Sequence, residues 1–358
     1  LPGVPVHVTA IADLLDQVRD AMAARRPLCI TGGNSKHYLG REQQGDPIDV
    51  SGYSGVVDYQ PSELVITVRA GTAISDLRQV LAQENQVLAS EPPEFDGKAT
   101  VGGTLACNLS GPSRPWQGSI RDQVLGVRII NGKGEHLRFG GQVMKNVAGY
   151  DVSRLQAGAM GTLGILTEVT LKVIPKPEST VTVRRTTGAN DSLRTMNELC
   201  RTPLPVTGAC WYSGDMYVRL SGPASVIGAA ATGIGGSVLG DDNGFWLQLR
   251  EMDLPFFAEA KDLWCVSLRS TRDHFREDAD WLIDWRGARR WLAARCDRDV
   301  LDEQVRDAGG EVSHVRGAEH GADVFPERSP VYRRMLLQLK QALDPDGIFN
   351  PGRLYSWL

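Results

Sequence analysis

The chain is 358 residues long, 42% hydrophobic and 23% charged, with a formal net charge of −4. That length accommodates two domains and an ample core. The charge balance leaves no basic footprint for nucleic acid, and no apolar run reaches the roughly 18 residues of a membrane span.

The start, Leu1-Pro2-Gly3, has neither a basic nor an apolar leader region. No secretory signal is expected, and the missing initiator Met suggests a trimmed start. Ile11, Leu14, Leu15, Val18 and Met22 recur at helical spacing and predict a helix over 11–24. Pro27-Leu28-Cys29-Ile30 is a short apolar strand running into Gly32-Gly33, and the alternation from Ile48 to Tyr59 reads as a second strand interrupted at Gly52 and Gly55. Together these make a small β-α-β unit. Leu64–Val68 is a further strand, and 73–84 a helix with Thr72 as its expected N-cap. Val124–Ile130 and His136–Phe139 flank an Asn-Gly-Lys-Gly turn, and a long strand over Ile165–Ile174 closes at Pro175 and Pro177. The proline pair marks a domain boundary. Beyond it, strands at 181–184, 209–212 and 216–220 alternate with helices at 192–200 and 224–232. A helix over 330–343 precedes Asp344-Pro345-Asp346-Gly347-Ile348-Phe349-Asn350-Pro351-Gly352-Arg353. No internal repeat is evident.

Three glycine-rich stretches carry the functional signal: Ile30 to Lys36, Ala99 to Asn108, and Gly158 to Thr167. Glycine recurs where a backbone turns tightly or approaches a ligand closely. Bare amides in such turns make an anion-binding concavity, which suits a pyrophosphate. The first loop lacks the G-x-G-x-x-G of a nicotinamide site, and no P-loop motif is present. Six cysteines occur without any Cys-x-x-Cys pair, so reduced thiols are expected rather than disulfides, zinc or an iron–sulfur centre.

The ordered set of motifs resembles a known family. It comprises Gly-Gly-Asn-Ser-Lys, Ala-Thr-Val-Gly-Gly-Thr-Leu-Ala with Gly118-Ser119-Ile120-Arg121-Asp122, Gly-Thr-Leu-Gly-Ile-Leu-Thr-Glu, and the C-terminal Asn-Pro-Gly. These resemble the FAD-linked oxidases of the vanillyl-alcohol-oxidase / p-cresol-methylhydroxylase (PCMH) fold. Within it, Gly40-Arg41 and Lys145 to Leu155 are similar to the E subunits of bacterial glycolate oxidase. The resemblance implies an α+β fold. A two-subdomain FAD-binding domain of PCMH type occupies 1–175, an α+β cap 176–325, and a segment returning to the flavin 326–358.

It also implies residue roles. Gly32, Gly33, Asn34 and Ser35, with Thr31 and Lys36 at the loop ends, would hold the FAD pyrophosphate. Thr100, Val101, Gly102, Gly103 and Asn108 would line the pyrophosphate and one edge of the isoalloxazine. Gly118, Ser119, Arg121 and Asp122 would close the same wall. Gly161, Gly164 and Ile165 would meet the adenosine end, and Asn350 the flavin side. A valine at Gly33 is expected to cost flavin binding more than fold.

Members that tether FAD through the first loop carry His where this chain has Asn34, so noncovalent FAD is expected, with His37 at the surface or behind the site. The His-x-Gly-Asp-Gly-Asn-x-His motif of related 2-hydroxyacid dehydrogenases is missing; His314 and His320 are its nearest candidates. No metal is expected. Arg114, Arg121 and Arg353 could bind a carboxylate or phosphate, or serve as ordinary ion pairs.

The implied function is the FAD-binding subunit of a glycolate (2-hydroxyacid) oxidase complex. Its partners would be a sister flavin subunit and an iron–sulfur subunit, in the cytoplasm or at the inner face of the membrane. Alternatives are an electron-relay or assembly subunit without catalysis of its own, or a stand-alone oxidase of an alcohol or sugar. Seven of the eight tryptophans lie beyond residue 210, which places the expected partner surface in the C-terminal half.

Overall fold

The structure, a computed structural model, describes residues 6–7, 10–141, 151–240, 244–274, 279–317 and 323–358. The chain divides into two compact units. The first gathers Leu1–Leu109, Ser119–Pro175 and His320–Leu358; the second, Ser110–Gly118 and Lys176–Glu319.

In the first unit, helix Ile11–Ala24 buries Leu14, Val18 and Ala21 as one stripe. Its chain reverses at Arg25, left-handed at φ 51, whose N–H caps the carbonyls of Ala21 and Met22. The strand Leu28–Thr31 follows. It lies parallel to Asp46–Asp49, which also pairs in parallel with Val6–His7. The alternation read from Ile48 to Tyr59 is therefore two strands in two sheets. Asp46–Asp49 belongs here, whereas Val56–Gln60 is the edge of a five-stranded antiparallel sheet. That sheet runs Val56–Gln60, Val65–Arg69, Ile165–Lys172, Val124–Ile130, His136–Gly140. Its inward residues, among them Ile66, Val68, Ile129 and Val169, share a core with Ile74, Leu77 and Leu81 of helix Ile74–Gln83 and Val101 and Leu105 of helix Val101–Cys107. Thr72 is not the cap expected of it. Ala73 holds that position. The Thr72 hydroxyl instead accepts from the Gly55 amide at 2.9 Å, fastening the turn before Val56.

The second unit is one eight-stranded antiparallel sheet in the order Ser237–Leu239, Ser179–Thr186, Asp215–Gly222, Val206–Tyr212, Asp280–Asp284, Arg289–Ala293, Leu263–Ser267, Glu311–Arg316. Its first four strands, with helices Ala189–Leu199 and Ala224–Ile234, form a β-α-β-β-α-β motif of spatial order 4-1-3-2. The last four show the same order reversed, 2-3-1-4, with helix Arg298–Asp307 in the second crossover. Two like halves thus join through their second strands, a repeat the sequence conceals. Trp246, Trp264, Trp281 and Trp291 are at most 7% exposed. The indole-rich half is rich because it fills this core, so those tryptophans offer no docking surface.

The first unit is closed by helix Pro330–Leu343. Lys340, 7% exposed, donates to Asp344 Oδ2 at 2.7 Å, to the Thr162 carbonyl at 2.7 Å and to the Phe349 carbonyl at 2.8 Å. The Asp344 carboxylate in turn accepts from the amides of Ile348 and Phe349. Burial lowers the Lys340 ammonium from its usual range, with Asp344 opposing it. Removing one partner of a buried pair leaves an uncompensated charge, at a cost of about 3–5 kcal/mol. Lys340→Met is expected to lower unfolding stability by that order in chemical denaturation; an unchanged midpoint would show that the pair contributes nothing net.

Candidate functional site

The strand Leu28–Thr31 delivers the chain into Gly32-Gly33-Asn34-Ser35-Lys36. The main-chain N–H groups of Gly32, Gly33, Asn34 and Ser35 meet no acceptor among the described residues. Successive unbonded donors on one loop can make an anion-binding concavity. These residues, with Thr31 and Lys36, line an open cavity. Thr100, Gly102 and Gly103 line it from the second glycine stretch, Gly161 and Gly164 from the third, and Asn350 from the C-terminal segment.

The second stretch takes part differently from expectation. It is the helix Val101–Cys107, whose first amides are already spent. Val101 N–H donates to Thr72 O at 2.9 Å, Gly102 N–H to Ala70 O at 2.8 Å, and Gly103 N–H to the Thr100 hydroxyl at 3.2 Å. It contributes bare Cα surface rather than donors. The reasons for its glycines also separate. A Cβ on Gly102 would lie 2.7 Å from that of Ala70, a packing constraint. A Cβ on Gly103 would meet only side-chain atoms, Thr100 Oγ1 at 3.0 Å and Lys36 Nζ at 3.9 Å. Gly33 is a packing glycine too: its Cβ would fall 1.7 Å from the Lys98 carbonyl oxygen. The expectation that a side chain there would displace ligand and spare the fold is corrected on that ground.

Gly161, at φ 73, leaves room for the Asn350 carboxamide, which would stand 2.6 Å from a Cβ. Asn350 accepts from Ile30 N–H and donates to Met160 O, both at 2.7 Å.

The remaining expected residues lie off the cavity lining. Val101 and Ile165 are core side chains, at most 1% exposed. Asn108 ends its helix at φ 51, with a buried Oδ1 that has no partner among the described residues. Gly118 belongs to the second unit. Ser119 and Asp122 satisfy each other: the Ser119 amide and hydroxyl donate to Asp122 Oδ2 at 2.8 and 2.7 Å. Arg121 is exposed. The 145–150 part of the Lys145 to Leu155 motif, and His320, fall outside the described residues. His314 stacks on Trp264 at 3.9 Å rather than facing a ligand set. Among the described residues no group of three or more His, Cys, Asp or Glu could hold a metal.

The lining also holds residues outside the expected flavin set, among them His37, Cys107 and Arg353, of which Arg353 was offered from sequence as a possible carboxylate or phosphate ligand. His37 is exposed at the rim, its Nδ1 3.1 Å from the Asn34 carbonyl. Burial pushes the Cys107 thiol up, while Lys36 and Arg353 pull it back. Arg353, 7% exposed, donates to the carbonyls of Arg41, Lys36 and His37. Its place directly after Asn-Pro-Gly was the available signal.

Comparison with known proteins accords with this geometry. The FAD-binding domain family matches residues 2–140. Glycolate oxidase subunit GlcE of Escherichia coli (strain K12) is 44% identical over 96% of this chain and 97% of its own length. The chain belongs to the GlcE family. A D-lactate dehydrogenase of Anaerostipes hadrus is 30% identical over 51% of the chain and 38% of its own length, and glycolate oxidase subunit GlcD of Bacillus subtilis (strain 168) 36% identical over 36% and 27%. The fold is shared with an alkyldihydroxyacetonephosphate synthase structure, at TM-score 0.71 and 16% identity, covering 98% of this chain and 77% of that one. Unbonded loop amides, a glycine-smoothed floor and cationic walls fit the diphosphate of the cofactor that defines the family.

Two glycine variants test the site. Gly103→Val is expected to keep the melting temperature within a few degrees while flavin content falls. Gly33→Val, which collides with backbone, is expected to lose fold and flavin together. Full flavin in a folded Gly103→Val protein would remove that helix from the site.

Proposed function

We propose that this chain is the FAD-binding GlcE-type member of a glycolate (2-hydroxyacid) oxidoreductase complex, holding FAD noncovalently and passing electrons to partner chains. The observation that carries the reading is the cavity with four unbonded loop amides, in a chain with 44% identity to a glycolate oxidase subunit. Bound there, FAD would supply a two-electron acceptor that no side chain offers. The chain's own residues bind and orient: Gly32 to Ser35 present donors, Gly103 leaves space, and Asn350 fixes the loop against the Met160 turn. Six cysteines without Cys-x-x-Cys spacing support an iron–sulfur centre on another subunit, reached alongside a sister flavin subunit. Among the described residues no helix is long and apolar enough to cross a membrane. That accords with a place in the cytoplasm or at the inner membrane face through partners.

The second reading, an electron-relay or assembly subunit, is favoured by the missing histidine motif. Anaerobic mixing of the purified chain with glycolate separates the two. The isolated chain is expected to bleach slowly or not at all and to regain reduction when its copurifying partners are added. Full turnover by a partnerless monomer would overturn the complex. Acid precipitation is expected to leave the yellow colour in the supernatant; flavin in the pellet would point to a tether at His37 or Cys107, the nucleophiles on the cavity wall.

A further inference from the structure

We infer that the outward face of helix Pro330–Leu343 is a docking surface for a partner chain whose own surface is apolar at its centre and acidic at its rim. The inference rests on the complex reading above and deepens it by assigning a contact surface. Val331, Tyr332, Met335 and Leu337 are 57, 47, 61 and 40% exposed. Elsewhere among the described residues, large apolar side chains this exposed come singly in the sequence or as the pair Val56-Val57. The same helix already has a core side: Lys340 and Leu343 are buried, and Leu339 packs against the sheet core. Val331, Met335, Gln338 and Ala342 recur at i, i+4, i+7 and i+11, and all four are exposed. That spacing makes one stripe down a helix. The helix thus carries a second, outward stripe that folding of the chain leaves uncovered. An exposed apolar cluster with a polar surround marks an interaction site.

The charges beside the stripe indicate the partner's chemistry. Helix Pro330–Leu343 contains no carboxylate, and its first turn has none although the positive end of a helix dipole favours one. Arg333 and Arg334 follow instead, and neither meets a carboxylate among the described residues. Just ahead of the helix, Asp323 is taken by Arg41 at 3.0 Å, which leaves Glu327 against Arg328, Arg333 and Arg334. Aromatic rings support these cations. The Arg333 guanidinium lies 4.8 Å from the Trp357 ring centroid, Trp357 stacks on Tyr355 at 4.8 Å, and the Tyr355 hydroxyl accepts from Arg328 Nε at 2.7 Å. Arg, Trp, Tyr and Met are the side chains over-represented at the centres of protein interfaces. The three contacts of Lys340 pin the helix, so the stripe is held ready before a partner arrives. It is also narrow, because Leu339 and Leu343 turn inward. A narrow stripe suits a groove in a protein rather than a bilayer surface, which takes up the whole apolar side of a helix.

The test uses the full chain with the sister flavin subunit and the iron–sulfur subunit of its complex, and measures its affinity for that purified pair by surface plasmon resonance. Met335→Glu is expected to weaken binding about 10–100-fold, the range of a buried interface anchor, while flavin content and melting temperature stay at wild-type values. Arg333→Glu combined with Arg334→Glu should weaken it too and change its salt dependence: the wild-type complex loosens as salt rises, the charge-reversed one does not. Met335→Leu should bind as wild type does. So should Val238→Glu, a change at a side chain 55% exposed in the second unit. Wild-type affinity in Met335→Glu, or an equal loss in Val238→Glu, would sink the surface and leave the complex standing. So would a self-dimer of the isolated chain in sedimentation, or binding to phosphatidylglycerol vesicles, that Met335→Glu abolishes while the complex persists. A wild-type chain that holds neither subunit would overturn the complex and the surface together.

Discussion

One side chain joins the parts of the open cavity lined by the glycine loops. Asn350, 2% exposed, accepts from the Ile30 amide and donates to the Met160 carbonyl. It thereby ties the strand entering the first glycine loop to the turn of the third glycine stretch. Its main chain extends the tie, with Asn350 N–H donating to Leu28 O and Leu28 N–H to Ile348 O. The glycine at 161 follows from this contact, since any side chain there would strike the Asn350 carboxamide. The 32–35 loop keeps its amides unbonded because the segments on either side are held by other means: Leu28–Thr31 by its parallel neighbour, and 36–41 by Arg353. A rigid frame around open donors is what preorganised anion binding requires.

Buried charge is used in two ways. Lys340 with Asp344 is a closed system, each group facing the other and the surrounding backbone. Asp284 in the second unit is similar. It is fully buried, its carboxyl raised by burial, and it is met by Arg289 and the Trp285 amide. The Arg289 guanidinium stacks 3.7 Å from the Trp285 ring centroid, and Arg114 lies 4.3 Å from it. Lys36 and Arg353 differ in lining a cavity. The first two arrangements fix architecture; in the third, two cationic side chains line an open cavity.

The second unit shows how a fold repeat can hide. Its halves share strand order but not helices: among the described residues, the first crossover of the second half lacks the helix that Ala189–Leu199 supplies in the first. The turn at 285–287 carries three successive positive φ values, 50, 62 and 94. Asn197, donating to the Arg286 and Ser270 carbonyls, holds that strained backbone in place.

Sequence alone determined the type of several elements and the order of the site motifs. Helical spacing in 11–24, the β-rich runs at 65–69 and 124–130, and the glycine stretches are local patterns, and their chemistry survives whatever packs around them. It did not determine which amides stay free. Val101, Gly102 and Gly103 lose theirs to Thr72, Ala70 and Thr100, a competition among acceptors that only folding arranges. Nor could it separate Gly33, required by the Lys98 carbonyl, from Gly103, required by nothing rigid, because glycine reads alike in both places. Arg353 reaches the cavity over more than 300 residues of chain through Asn350 and the 36–41 loop. The local code therefore fixed the donors and the turns, and tertiary contact decided which of them face the cavity, since hydrogen-bond acceptors and close approaches come from chain remote in sequence.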